Sequence, residues 1–392
     1  MLQDYEVKKF NKEDEFAEFI DDFEVNTIRT NFYLSEMMVY PLDNVPILVD
    51  EIMKKLQIEP TVERQAVIEA MSSTALAVQA PIAGTLRTYP VSGSAVASLN
   101  ARAGFVQASC LRYGTNNSRC EMSPTDRANV LNAGIRCYKT RGLSIIRDNK
   151  IRAVLSGDVH DYSVIPANDV YKISRDVLSK MNGKKVSFLY GNVSHDFTTF
   201  VFIVNKADIL ASIENSFNKA SIPWDESYRM AVKIITSDTG LCGCNVYPML
   251  IDKRGMEFPL GTSLKTTHKN GHTITDVSSN VDKVFASFRE AASNIDKLAN
   301  YQVKCVSGLV MYIGKNVKLP KSVVFKAFEE FTALYGANVY GVDVYFLLLD
   351  ILDRLYKEGK ISSYLQLVTA EGIARLLFFD NIENIDIPFQ WE

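Results

Sequence analysis

Apolar residues recur at helical intervals near both ends of the chain and at β-type intervals in the stretch between. Within residues 13–23, Phe16, Phe19 and Ile20 share one helical face. Residues 45–56 continue the pattern behind Asn44 as a cap, with Pro46 in the first turn, and Thr61 caps a further helical stretch towards Val78. Pro81 and the small-residue segment 84–98 end it. Periodicity is weak over residues 85–140, where Arg, Asn, Ser and Gly gather around Tyr113, Gly114, Thr115, Asn116 and Asn117, which predicts a loop-rich segment.

Regular structure resumes with β-type runs over 143–147 and 150–156, joined by Asp148-Asn149 as a two-residue hairpin turn. Asn168 begins an amphipathic helix with Val170, Ile173, Val177, Leu178 and Met181 on one face, and Gly183 closes it. Strands are predicted over 186–190, 197–204, 228–236 and 245–251, and a hairpin over 262–277 about Asn270-Gly271. From Asn280 the period turns helical, with Val281, Val284, Phe285, Phe288, Ala292, Ile295 and Leu298 in one stripe. Pro320 starts another helix, and 342–356 and 370–379 add more. The pattern predicts an α+β fold: a central mixed or antiparallel sheet domain flanked by N-terminal and C-terminal helical layers. Its expected regions are 1–84, acidic and helical; 85–279, a basic loop-rich segment and the sheet domain; and 280–392, helical.

A chain of 392 residues with 47% hydrophobic and 23% charged side chains has ordinary globular composition, with enough apolar surface to bury a core. The first residues lack a basic region followed by an apolar run, and the apolar runs 75–86 and 344–352 fall short of the roughly 20 residues a bilayer requires. The expectation is a cytoplasmic protein with no membrane span. Cysteines 110, 120, 137, 242, 244 and 305 are scattered as reduced thiols would be rather than as a disulfide framework.

Charge changes the picture more. Residues 1–60 carry 14 acidic and six basic side chains, whereas from Ala101 to Val154 ten basic residues face only Glu121, Asp126 and Asp148. The ten are Arg102, Arg112, Arg119, Arg127, Arg136, Lys139, Arg141, Arg147, Lys150 and Arg152. Arginine forks suit phosphate oxygens, and Phe105, Tyr113 and Tyr138 add surfaces on which bases can stack. The same charges also fit a solvated face that pairs with the acidic N-terminal helices, within one chain or between two.

Signatures of covalent chemistry are incomplete. Between Gly308 and Lys315 the spacing is one residue too long for a phosphate-binding loop, and Asn316 replaces the metal-binding Ser or Thr; a strand-to-helix turn explains the segment. Cys242, Cys244, His268 and His272 include zinc-ligand types, but one residue between the cysteines is tight and a hairpin at Asn270-Gly271 would point the imidazoles apart. No Gly-x-Ser-x-Gly occurs, and Thr236-Ser237-Asp238-Thr239-Gly240 reads as a polar turn ending a strand. The order Gly157-Asp158-Val159-His160-Asp161, Gly191 to Asp196 and Gly271-His272 resembles calcineurin-like metallophosphoesterases. That resemblance implies metal ligation by Asp158, Asp161, Asn192, His195 and His272. Val193 and Ser194 interrupt its second motif, no histidine precedes His160, and Ile274 replaces the last His.

Residues 151–156 leading to 162–166, then 236–240, 268–272 and the helical tail, resemble an uncharacterised family of phage- and plasmid-encoded proteins over about residues 140–360. The resemblance implies a mobile-element context, hence a bacterial host cytoplasm, and brings no catalytic residues. The expectation is an accessory protein that binds nucleic acid through the ten basic residues, without a cofactor and without covalent chemistry. A metal-dependent phosphoesterase and a protein-interaction or assembly component, as a homo-oligomer or with a protein partner, are the alternatives.

Overall fold

The computed structural model describes residues 6–45, 53–54, 72, 74–82, 84–105, 122–219, 227–335, 338–378 and 382–391. Three sheets organise them. In the largest, strand β1 (Lys8–Phe10) pairs with β8 (Ser187–Val193), followed by β9 (Thr198–Ile203), β10 (Arg229–Thr236), β11 (Cys244–Ile251) and β12 (Glu257–Pro259). Strand β13 (Leu264–Thr266) also pairs with β11. A second sheet is β2 (Ile28–Tyr33), β6 (Arg141–Arg147) and β7 (Lys150–Ser156), and a third is β3 (Met38–Pro41), β4 (Leu76–Ile82) and β5 (Thr85–Pro90). Every ladder is antiparallel, and the class is α+β.

Helices α1 (Glu13–Val25), α4 (Ala167–Asn182), α5 (Ala207–Lys219), α6 (Ile274–Asp282) and α7 (Val284–Ala299) supply side chains to the core on one face of the large sheet. The C-terminal helices α8 (Val306–Asn316), α9 (Lys321–Tyr335), α10 (Gly341–Lys357), α11 (Ser363–Phe378) and α12 (Ile382–Ile385) extend that core. Phe16 of α1 is fully buried among Tyr171, Phe188 and Phe200, which ties the N-terminal helix to the sheet. Leu367 and Tyr364 of α11 pack on the opposite face, against Val201, Ile235 and Tyr247. A second core joins β3, β4, the β6–β7 hairpin, α2 (Ala95–Arg102) and α3 (Pro124–Arg136).

Packing therefore divides the chain differently from the expected boundaries. One core draws on residues 32–154, while residues 10–20 join 165–385 in the other. A boundary at 84/85 would cut the β4–β5 hairpin, where Ile82 pairs with Thr85, and one at 279/280 would cut α6. The region 1–84 holds four strands besides α1, so it is not a helical layer. Its expected helix near Val78 is instead β4, the middle strand of its sheet and buried along most of its length. A continuous apolar run suits such a strand as well as it suits a buried helix. The helices expected over 45–56 and from Thr61 onward lie largely outside the described residues.

Two further corrections concern local signals. The described residues of 85–140 are mostly in regular structure, in β5, α2 and α3, and Ser123 caps α3 by accepting from the Asp126 amide at 3.1 Å, with Pro124 in the first turn. Residues 262–277 are not a hairpin. Asn270 and Gly271 do adopt positive φ (59° and 68°), but the Thr273–Asp276 capping box turns the following residues into α6. Elsewhere structure follows the local turn signals: Asp148 and Asn149 have φ of 50° and 56° between β6 and β7, and Gly183 at φ 73° closes α4. No helix among the described residues is long and apolar enough to cross a membrane.

Candidate nucleic-acid interface

The ten basic residues do not form one face. Arg127, in the first turn of α3, is buried and donates to the Thr74 carbonyl at 2.5 Å. Arg152 is the extra residue where the β6–β7 register shifts, and its buried side chain donates from Nε to the Arg147 carbonyl at 3.4 Å. Arg147, also buried, points out of β6 into the contact with the large sheet. These three arginines hold the fold together and are withdrawn from the expected interface. Arg112, Arg119 and Tyr113 lie outside the described residues. Lys150 is half-buried at the hairpin turn, six strand residues or about 20 Å from Arg141.

What Arg147 reaches is the polar turn that follows β10. Its Nη2 donates to Asp238, its Nε to Thr27 Oγ1 at 2.7 Å and its Nη1 to the His195 carbonyl at 3.0 Å, while its guanidinium lies 4.4 Å from the Phe23 ring centroid. Arg29 of β2 donates to the same Asp238 oxygen at 2.7 Å and grips Glu24 at the end of α1. Burial alone would raise the Asp238 carboxyl, but the two guanidinium groups outweigh it and hold it below the ordinary carboxylate range. Tyr162 donates to the Asp238 carbonyl at 2.5 Å and stacks on His268, whose Nδ1 donates to the Ser163 carbonyl at 2.9 Å. The cavity beside Arg147 and Asp238 measures only 10 Å³, at the limit for one water molecule. This junction is packed shut, and its work is to lock the second sheet onto the first.

Carboxylates of the acidic helix α1 turn to cations outside the basic stretch. Asp21 pairs with Lys172 at 2.7 Å, and Glu13 accepts from Tyr171 at 3.0 Å and meets Lys185 at 3.2 Å, all on or just after α4. Glu24 is the one carboxylate of α1 drawn into the junction, through Arg29.

The proposed metal ligands are likewise engaged separately. Asp158 accepts from the His160 amide, Asp161 from Ser156 at 3.0 Å, and His272 Nδ1 meets the Thr267 carbonyl at 3.1 Å. His195 is buried 3.5 Å from Asp148, and Asn192 sits in β8 between Lys9 and Thr199. The 158–162 loop does touch the 268–271 turn, through the Asn270 amide on the His160 carbonyl at 2.8 Å. Among the described residues, however, no three His, Cys, Asp or Glu side chains converge on a metal position. The zinc set does not gather either: Cys242 and Cys244 are buried free thiols, His268 Nδ1 is taken by the Ser163 carbonyl and His272 Nδ1 by the Thr267 carbonyl. Gly308 to Lys315 lies wholly inside α8, neither a phosphate loop nor a strand-to-helix turn. A Cβ on Gly308 would come within 2.0 Å of the Ile387 carbonyl, so the glycine serves close packing.

Four of the ten remain at the surface on neighbouring elements. Arg136 ends α3, Lys139 and Arg141 follow it into β6, and all three are exposed; Arg102, half-buried, ends α2. Tyr138, 41% exposed, lies against the Gly104 backbone two residues beyond Arg102. Arg141 pairs across the ladder with Tyr33 of β2, 49% exposed, and holds its guanidinium 5.3 Å from that ring centroid. None of these four cations pairs with a carboxylate among the described residues. The result is a ridge of cations interleaved with tyrosines.

Fold and site thus define an antiparallel α+β protein with a sealed arginine junction and an exposed basic–aromatic ridge. No protein-family model matches the chain, and neither a curated protein nor a solved structure matches it. Tyr33, Arg29, Glu24 and the role of Asp238 were missed in the sequence. The polar turn after an apolar strand was the only signal for the last, and nothing local marks its arginine partners.

Proposed function

We propose that this protein binds nucleic acid non-covalently through the ridge of Arg102, Arg136, Lys139, Arg141, Tyr138 and Tyr33. The observation that carries the proposal is the exposed run 136–141, in which three cations without carboxylate partners among the described residues flank an exposed tyrosine. Guanidinium forks and the ammonium group suit phosphate oxygens, and the tyrosine rings offer faces to unpaired bases, so single strands fit the ridge better than duplex. The resemblance to phage- and plasmid-encoded proteins sets this activity in a mobile element within a bacterial host cytoplasm. It needs no cofactor.

Fluorescence anisotropy with labelled single- and double-stranded DNA across a salt series tests it. Four phosphate contacts give a log–log salt slope of about −3 for a single strand. Absence of binding at low salt, or binding indifferent to salt, would overturn the proposal and leave a protein partner as the occupant of the ridge.

A further inference from the structure

A second basic surface lies on another element. The last turns of α4 and the residues after it enclose an open groove of 630 Å³ lined by Arg175, Asp176, Ser179, Lys180, Gly183, Lys184 and Lys185. Four of these are cations and one is an acid. Asp176 lies 3.5 Å from Arg175, and Glu13 reaches Lys185 at 3.2 Å and Arg175 at 3.8 Å, so that pair is partly neutralised. Lys180 and Lys184 are exposed and have no carboxylate partner among the described residues. One lysine in the last turn suffices to complement the helix dipole; Lys184 and Lys185 stand beyond the helix, where the dipole does not require them. Gly183 in its left-handed conformation would direct an added Cβ into open space, which leaves the groove floor clear.

The geometry points to a second phosphate-binding groove at the C-terminal end of α4, suited to a phosphodiester backbone. The ligand class rests on the nucleic-acid reading of the ridge, but the groove shares no residue with it. Helix α4 starts beside Arg147 at Ala167 and meets the groove from Arg175, eight residues or about 12 Å further on, while Arg147 is itself six strand residues, about 20 Å, from Arg141 of the ridge. Its shallow, cationic form offers no apolar pocket for a base, so it contacts backbone without reading sequence. With the ridge, it gives each chain two places to hold a strand.

Native mass spectrometry with a single-stranded hexanucleotide counts the strands each chain holds and separates the two claims. The wild-type chain should carry two oligonucleotides. Lys180→Glu/Lys184→Glu should carry one, and Arg136→Glu/Lys139→Glu should also carry one, each with unchanged thermal melting. If the groove variant still carries as many as wild type while the ridge variant loses one, the groove is overturned and the ridge stands; if both variants match wild type, both are overturned. If the ridge variant matches wild type while the groove variant loses its ligand, the ridge is overturned and the groove stands. A wild-type chain that binds none overturns both.

Discussion

Asp238→Ala should lower folding stability by about 3–5 kcal/mol, read as a fall in the urea midpoint at constant slope. The size follows from what the carboxylate leaves behind. Arg147 is 4% exposed, and its other partners are a hydroxyl, a carbonyl and an aromatic ring, none of which carries a negative charge. Arg29 keeps Glu24, so the loss falls mainly on Arg147. A buried guanidinium without a counter-charge costs more than the pair contributed while intact. Removing both members, as Arg147→Met/Asp238→Leu, should therefore recover most of the loss. The acid limb carries the same signature. The folded carboxyl titrates below its ordinary value, so its contribution is full above about pH 4 and disappears as pH falls through the lower folded pKa. Asp238→Ala should lose that part of the pH dependence. A change below about 1 kcal/mol would mean that the junction does not hold the sheets together.

The second large effect concerns binding alone. Arg136→Glu/Arg141→Glu should weaken DNA affinity about 10–100-fold at low salt and reduce the salt slope by about two contacts, without altering the melting temperature. Both side chains are exposed, and their nearest described partners are the Met38 sulfur and the Tyr33 ring, so folding asks little of them. Arg147→Ala should behave in the opposite way, destabilising the fold while the folded fraction keeps its affinity. An unchanged slope in the double variant, measured by anisotropy, would remove the ridge from the contact surface.

That contrast shows where the sequence is legible and where it is not. Punctuation by local stereochemistry was readable: Asp148-Asn149 needs two left-handed residues and Gly183 one, and each signal lies within two residues of its consequence. The α+β class followed from periods of 2 and 3.6 over long segments. Short strands such as β3, and mostly buried ones such as β4, lack a diagnostic period in the sequence, which is why the N-terminal region reads as helical. The fate of a charge is less local still. Arg141 and Arg147 are six positions apart on one strand, yet one faces solvent beside Tyr33 and the other meets Asp238, 91 residues away. Counting ten basic residues could not separate those that bind from those that brace.

The most direct test of the central claim is photocrosslinking of the wild-type chain to a halogenated single-stranded oligonucleotide, with the crosslinked peptides mapped by mass spectrometry. The ridge predicts crosslinks at Tyr138 or Tyr33, lost when salt is raised. No crosslink at low salt, or crosslinks confined to surfaces away from residues 136–141 and Tyr33, would contradict it.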